Sequence, residues 1–365
     1  MCRLEVNISE SEKKYTIHIN NKDISLLKSG VLESINNKNY IVVISQKVYT
    51  LYGEILDFPK DKIFILKDGE KEKNFKNYAK ILDFALKNKL KREDAIIAIG
   101  GGVVGDISGF CASTYMRGIK FIQIPTTLLA CTDSSVGGKT AINSEYGKNL
   151  IGSFYQPHEV FINVNFLKTL DKKQYDSGLG EVLKYALIEK SCECNEELHL
   201  MNFLTENNKK ILDRDIITLR ELIEMCIKLK ISIVNKDEKE KGLRRILNYG
   251  HTYAHALENI THYKKYTHGE SVVYGILYAL NIAIKLGKID KEYKFLCEDL
   301  ILKYGFKQIP KYDNNKIIKI METDKKADND KINYILPSGY ASVECIPLTS
   351  EQIEYYTNKV ENLKK

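Results

Sequence analysis

Four of the seven histidines in this 365-residue chain fall between positions 251 and 268, a clustering that invites a metal ion. His251 and His255 stand four apart on a segment of helical pattern, so their imidazoles would share one face. His268 follows in His268-Gly269-Glu270, at the head of another apolar helical run. Upstream, Glu181 sits in Gly178-Leu179-Gly180-Glu181-Val182-Leu183-Lys184-Tyr185. Two imidazoles, one carboxylate and an open position make a catalytic-zinc ligand set. By helical geometry alone His251 with His255 is the better pair. Histidines that serve only a core or a surface remain the competing reading.

Other residues suit anions. Gly137-Gly138-Lys139-Thr140 and Gly147-Lys148-Asn149 place ammonium groups beside flexible, glycine-containing backbone, as phosphate sites do. The first lacks the upstream glycine spacing of a Walker loop, which argues against an NTPase. Lys230, Arg244 and Asn248 lie shortly before His251, although any single lysine here also reads as a solvated surface charge.

Gly100-Gly101-Gly102-Val103-Val104-Gly105-Asp106 follows a β-type run and opens an apolar helix, with Gly100, Gly102 and Gly105 in G-x-G-x-x-G register. Such a turn lets backbone N–H groups reach a pyrophosphate at a helix N-terminus. A tight β–α turn with nothing bound is the alternative. An ordinary dinucleotide fold carries a ribose-binding acid roughly 20 residues beyond the glycines, yet Ile107 to Thr132 holds neither Asp nor Glu. Asp68-Gly69-Glu70, ending the preceding strand, is the nearest substitute.

The elements that must position these groups are legible as periods. Tyr40–Ile44, Ile63–Leu66, Ala95–Ile99, Phe121–Ile124 and Val160–Val164 are apolar runs of the kind that form strands covered on both faces. Between the second and third, Phe75, Tyr78, Ala79, Leu82, Ala85 and Leu86 trace one helical stripe. Strands alternating with helices predict a mostly parallel α/β sheet, a Rossmann-like variant in residues 1–170. Beyond Asp171-Lys172-Lys173 the β signal nearly vanishes. Leu222, Met225, Cys226, Leu229 and Ile233 mark one helical face, and similar stripes run through 272–284 and 292–303. Residues 171–365 are therefore expected to form a largely α-helical domain.

Composition narrows the function classes. Fifty-five bases against 48 acids give a net charge of +7, with no run of five like charges, so neither a nucleic-acid groove nor a membrane-surface tail is expected. Val272 to Ile284 is the longest apolar reach and falls short of the ~20 residues a spanning helix needs. Charges at Arg3 and Glu5 occupy the place of a signal peptide's apolar region. Eight scattered cysteines without CxxC spacing read as reduced thiols in a cytoplasmic protein.

Taken in order, the motifs resemble those of the 3-dehydroquinate synthase family of sugar phosphate cyclases over nearly the whole chain. The matching stretches are Asp68-Gly69-Glu70-Lys71, Gly100–Asp106, Met116-Arg117-Gly118, Pro125-Thr126-Thr127, Asp133–Thr140, Gly147-Lys148-Asn149, Gly180–Tyr185, Asp237-Glu238 to Gly250-His251-Thr252, His268-Gly269-Glu270 and Asp324-Lys325-Lys326. Local departures are Gly180, where the family often has alanine, and Tyr253-Ala254 for Phe-Gly.

The resemblance implies a dinucleotide-binding α/β domain joined to a helical metal-binding domain, a homodimer, bound NAD⁺, and zinc or cobalt. It implies metal ligation by Glu181, His251 and His268, with His255 reassigned to the substrate. NAD⁺ would be held by Asp68, Glu70, Lys71, the Gly101-Gly102-Val103-Val104-Gly105-Asp106 turn, Thr126, Thr127, Lys139, Lys148 and Thr169. Lys139, Asn149, Asn248 and His255 would hold a substrate phosphate, with Arg117 reaching in from the other subunit. Lys230, Arg244 and a lysine of the 325–326 pair, Lys325 in this assignment, would hold a carboxylate. Asp133 would join the active-site network. The implied substrate is a phosphorylated sugar acid, 3-deoxy-D-arabino-heptulosonate 7-phosphate, converted to 3-dehydroquinate and phosphate by oxidation, elimination, re-reduction and aldol closure. An NAD- and metal-dependent polyol or glycerol-phosphate dehydrogenase is the rival class, and another sugar phosphate cyclase the nearer alternative. The dehydrogenases usually offer Asp where this chain has Glu181.

Overall fold

The computed structural model describes residues 2–324 and 331–358. The chain forms two compact units: the residues up to Leu170 together with Ile216–Lys239, and Asp171–Asp215 together with the residues from Glu240 onward.

In the first unit the strands are β1 (Cys2–Ile8), β2 (Lys13–Asn20), β3 (Tyr40–Ser45), β4 (Ile63–Leu66), β5 (Ala95–Gly100), β6 (Lys120–Pro125), β7 (Lys139–Ser144), β8 (Gly147–Phe154) and β9 (Glu159–Asn163). Seven of them make one sheet in the order β1-β2-β9-β6-β5-β3-β4, parallel except for the antiparallel β1–β2 pair. The remaining two, β7 and β8, form a separate antiparallel hairpin. Alternation along the central strands builds two cores. Val42, Ile44, Ile97, Ile99, Ile122 and Ile124 face one layer, and Ile41, Val43, Ile96, Ala98 and Phe121 face the other.

The chain steps from β3 outward to β4, then crosses back to β5 on the other side of β3. Such a reversal opens a crevice at the carboxyl ends of the flanking strands, where α/β sheets take ligands. The helix Phe75–Lys87 forms as expected, but its buried line differs from the expected stripe. Ile81 and Ala85 are buried, whereas Phe75 and Leu86 are exposed.

Residues 216–239 depart from the expected division. The helix Ile216–Lys236 packs on β1, β2 and the turn Ala130–Ser134, and so joins the first unit although it follows position 171. Its apolar stripe is real, yet a stripe says only that a face is covered, not by which core.

The second unit is built on the helices Lys172–Ile188, His251–Ile260, His268–Lys285 and Lys291–Lys303. It also contains a hairpin, β10 (Ile332–Gly339) with β11 (Ser342–Leu348), that the fading β signal does not anticipate. Among the described residues no helix is long and apolar enough to cross a membrane.

Candidate active site

In the second unit three helices deliver Glu181, His251 and His268 to one point, where ligand atoms of all three lie within 4.8 Å of one another. Both histidines are the first residues of their helices, and Glu181 is mid-helix. Glycines allow the approach. A Cβ on Gly180 would overlap the Gly269 carbonyl oxygen, and a Cβ on Gly269 would overlap that of Ser177. The Gly269 N–H donates to Ser177 Oγ at 3.1 Å, pinning the His268 helix one turn before Glu181. Likewise a Cβ on Gly275 would overlap the carbonyl oxygen of Gly250, the left-handed residue (φ 81°) that launches the His251 helix. The departure at Gly180 therefore sits in a backbone-to-backbone contact beside a site residue.

Hydrogen bonds fix which nitrogen of each imidazole looks inward. His251 Nδ1 faces the Tyr249 carbonyl at 3.2 Å, so it carries the proton and leaves Nε2 3.4 Å from Glu181 Oε1. His268 Nδ1 donates to Glu258 Oε1 at 3.2 Å, and its Nε2 lies 3.3 Å from the same Glu181 oxygen. Lys184 Nζ sits 2.5 Å from Glu181 Oε2, both groups almost wholly buried.

Burial works to raise the Glu181 pKa, but Lys184 and the two imidazoles hold it well below the ordinary carboxylate value. For His251, burial wins and lowers the pKa to about 4. For His268, burial is outweighed by the nearby carboxylates of Glu181 and Glu258, which raise it to about 10. The cluster thus keeps one imidazole neutral and one protonated. Neither Glu181 oxygen has a well-aligned hydrogen bond, although both are buried. Lys184 balances one oxygen, but two imidazole nitrogens crowd the other without an aligned hydrogen bond, an arrangement that a shared cation would satisfy, so the donor set fits a divalent ion.

His255 lies on the same face of its helix as His251, with ring centroids 5.7 Å apart, as helical spacing requires. It is not part of the three-residue group. Arg244 is buried, and Asn248 Nδ2 donates to Glu240 Oε1 at 2.5 Å; both lie in the turn Leu243–Asn248. Lys325 lies outside the described residues.

In the first unit the expected nucleotide groups gather at carboxyl ends of strands. Asp68 follows β4, Gly101–Asp106 follow β5, Thr126 and Thr127 follow β6, and Thr169 lies beyond β9, its hydroxyl 2.7 Å from Tyr52 Oη. The turn opens the helix Gly102–Thr114 with no side-chain cap on its first N–H groups, which leaves them for an anion. Lys139, Lys148 and Asn149 belong to the β7–β8 hairpin, not to flexible backbone as their glycines suggested. Asp133 sits in a π-turn, and both its carbonyl and its carboxylate accept from Lys230 Nζ, at 2.6 and 2.9 Å. Lys71 and Arg117 are exposed. Met116, Arg117 and Gly118 are three successive residues with positive φ, a backbone strain that concentrates at functional loops.

Three groups escaped the sequence reading. Lys73, just past the quoted Asp68–Lys71 stretch, is buried and bridges Asp106 (2.8 Å) and Glu70 (3.4 Å). Burial opposes its charge, but the two carboxylates raise its pKa. Asn143 on β7 adds a 2.8 Å bond to Glu70, so the hairpin and the glycine turn are tied through one ammonium. The other two are Lys184, legible as i+3 from Glu181, and Glu258, legible as i+7 from His251.

A two-unit fold with a nucleotide-type crevice in one part and a three-residue candidate metal group in the other is the architecture that solved sugar phosphate cyclases share. A solved 2-deoxy-scyllo-inosose synthase, complexed with carbaglucose-6-phosphate, NAD⁺ and Co²⁺, superposes with a TM-score of 0.83 at 24% identity, covering 97% of this chain and 98% of that one. The 2-epi-5-epi-valiolone synthase of Streptomyces hygroscopicus subsp. jinggangensis, solved with NAD⁺ and Zn²⁺, gives 0.83 at 21% identity, covering 96% and 97%. The family models described as 3-dehydroquinate synthase N-terminal and C-terminal match residues 63–177 and 178–327. A curated 3-dehydroquinate synthase of Alkaliphilus metalliredigens is 40% identical over 358 residues, 97% of each chain. The chain belongs to the 3-dehydroquinate synthase family, and it is an enzyme of the lyase-type cyclase kind.

Proposed function

We propose that this chain is a shikimate-pathway enzyme, converting 3-deoxy-D-arabino-heptulosonate 7-phosphate to 3-dehydroquinate and phosphate. What carries the reading is the full-length match to 3-dehydroquinate synthases in a chain that brings Glu181, His251 and His268 to one point. When bound, NAD⁺ supplies transient hydride acceptance, and a zinc or cobalt ion supplies polarisation of a ring hydroxyl.

The chain's own residues do the rest. Glu181, His251 and His268 would hold the ion through Oε1 and the two Nε2 atoms. The helix Gly102–Thr114 would meet the cofactor pyrophosphate with its N–H groups, and Lys73, bridging Asp106 and Glu70, holds both carboxylates in place beside it. Lys139, Asn149, Asn248 and His255 would bind the substrate phosphate, and Lys230 and Arg244 its carboxylate. Asp133 holds the Lys230 ammonium in place, at 2.9 Å. Orientation and electrostatics, not a nucleophile, are what these groups contribute. Arg117, exposed and held in a left-handed conformation, would reach a neighbouring copy in a homodimer. All eight cysteines are thiols, five of them buried, which suits the cytoplasm.

The test follows three species in one reaction of purified chain with the heptulosonate phosphate. Phosphate and dehydroquinate should be released in step at catalytic NAD⁺, with no accumulation of NADH. Stoichiometric NADH would instead make the chain a dehydrogenase.

Ion loading should also move a proton. With its pKa raised to about 10, His268 is protonated in the metal-free chain at neutral pH. An ion taking Nε2 must expel that proton, so binding should release about one proton per ion and tighten as pH rises from 6 to 9. Calorimetry in buffers of different ionisation enthalpy measures it.

A further inference from the structure

We propose that Glu258 is a positioning residue for the metal group, acting through His268; the inference rests on the ligand assignment proposed above. His251, His255 and Glu258 form a stripe at i, i+4 and i+7 on the helix His251–Ile260. That stripe brings a buried carboxylate, 6% exposed, to 3.2 Å from His268 Nδ1 on a different helix. A carboxylate can only accept, so Glu258 fixes a proton on Nδ1 and keeps Nε2 as the nitrogen turned toward Glu181.

The two imidazoles are held unequally. His251 is oriented by a neutral backbone carbonyl from Tyr249, two residues away. His268 is oriented by a formal charge. Lys184 already offsets the charge of Glu181 at 2.5 Å, so an added divalent ion would bring surplus positive charge into a buried place. Glu258 supplies the second negative charge there, and it does so through the ring that must grip the ion. Its carboxylate makes His268 a stronger donor without occupying a coordination position.

The experiment uses the purified full chain and Zn²⁺ itself, titrated against a chromophoric chelator. Wild type, Glu258→Ala, Glu258→Gln and His268→Ala are compared. Glu258→Ala should bind zinc about 10–100-fold more weakly than wild type, and Glu258→Gln, which keeps an acceptor but not the charge, should fall between them. The visible absorption of the Co²⁺-loaded chain should change in both variants, because the His268 ring is no longer held. A merely structural Glu258 would lower the unfolding midpoint of the metal-free alanine variant and leave zinc affinity and cobalt spectrum of the isosteric glutamine variant as in wild type. If the alanine variant fails to fold, the glutamine variant decides. Zinc affinity within twofold of wild type in Glu258→Gln, with an unchanged cobalt spectrum while His268→Ala has lost the ion, overturns the inference and leaves the ligand assignment standing. Wild type that binds no zinc, or His268→Ala that binds like wild type, overturns the assignment and the inference with it.

Discussion

His251→Ala and His268→Ala should each strip the purified chain of most of its zinc, whereas His255→Ala should keep a near-full complement and lose turnover. The two proposed ligand histidines both direct Nε2 at Glu181 Oε1, at 3.4 and 3.3 Å. Removing either leaves two protein donors for the ion, which costs more than the about 10–100-fold penalty of losing a ligand's hydrogen-bonded partner. His255 shares a helical face with His251 but lies outside the group of converging ligand atoms. Its proposed partner is the substrate phosphate, so its loss should register in turnover alone. Metal analysis of the three variants, purified side by side with activity measured on each, decides the matter. Zinc lost from His255→Ala and kept by His268→Ala would make the helical pair the ligands.

Gly275→Ala should damage stability and metal binding together, though residue 275 touches no ligand group. Its Cβ would overlap the Gly250 carbonyl oxygen, a backbone atom that cannot rotate away. The helix His268–Lys285 and the start of the helix His251–Ile260 must then separate, and overpacking of this kind costs roughly 1–3 kcal/mol or more. Because Gly250 immediately precedes His251, the displacement falls on a proposed ligand. Gly30→Ala is the matched control. Gly30 is helical, and a Cβ there meets only a Phe161 ring carbon, at 4.0 Å. That change should be neutral or stabilising by up to about 1 kcal/mol. Thermal unfolding of the metal-free variants and their zinc content check both expectations. Wild-type values in Gly275→Ala would mean the helices slide freely.

The central sheet was legible because strands covered on both faces need unbroken apolar runs, and β3, β5 and β6 have them. The hairpins were not. In β8 exposed residues alternate with half-buried ones, and β10 carries Pro337 and Gly339, so neither shows the run that marks a core strand. The stripe on Ile216–Lys236 was visible but mute about its partner. For the metal group, spacing on one helix could only pair His251 with His255. The resemblance named His268 instead, and the structure brings it beside Glu181 through a tertiary contact that the glycines allow and of which local periodicity carries no trace. Residue types beside the known motifs held more than was read from them. Lys73 and Glu258 are a charged residue just past a motif and a charged residue on a ligand's helical face, and both turn out buried and engaged.

The chain's route between the two units has a consequence for how such a protein can be divided or inherited. Glu181 precedes the excursion of Ile216–Lys239 into the first unit, and His251 and His268 follow it. Any contiguous gene fragment that encodes the candidate ligand set without residues 1–170 therefore also encodes the helix Ile216–Lys236, severed from the strands it covers. A fragment beginning after that helix lacks Glu181. The two units are thus spatial modules without being genetic ones. Neither can be exchanged by a single crossover, and recombination among relatives must carry the interleaved segments together.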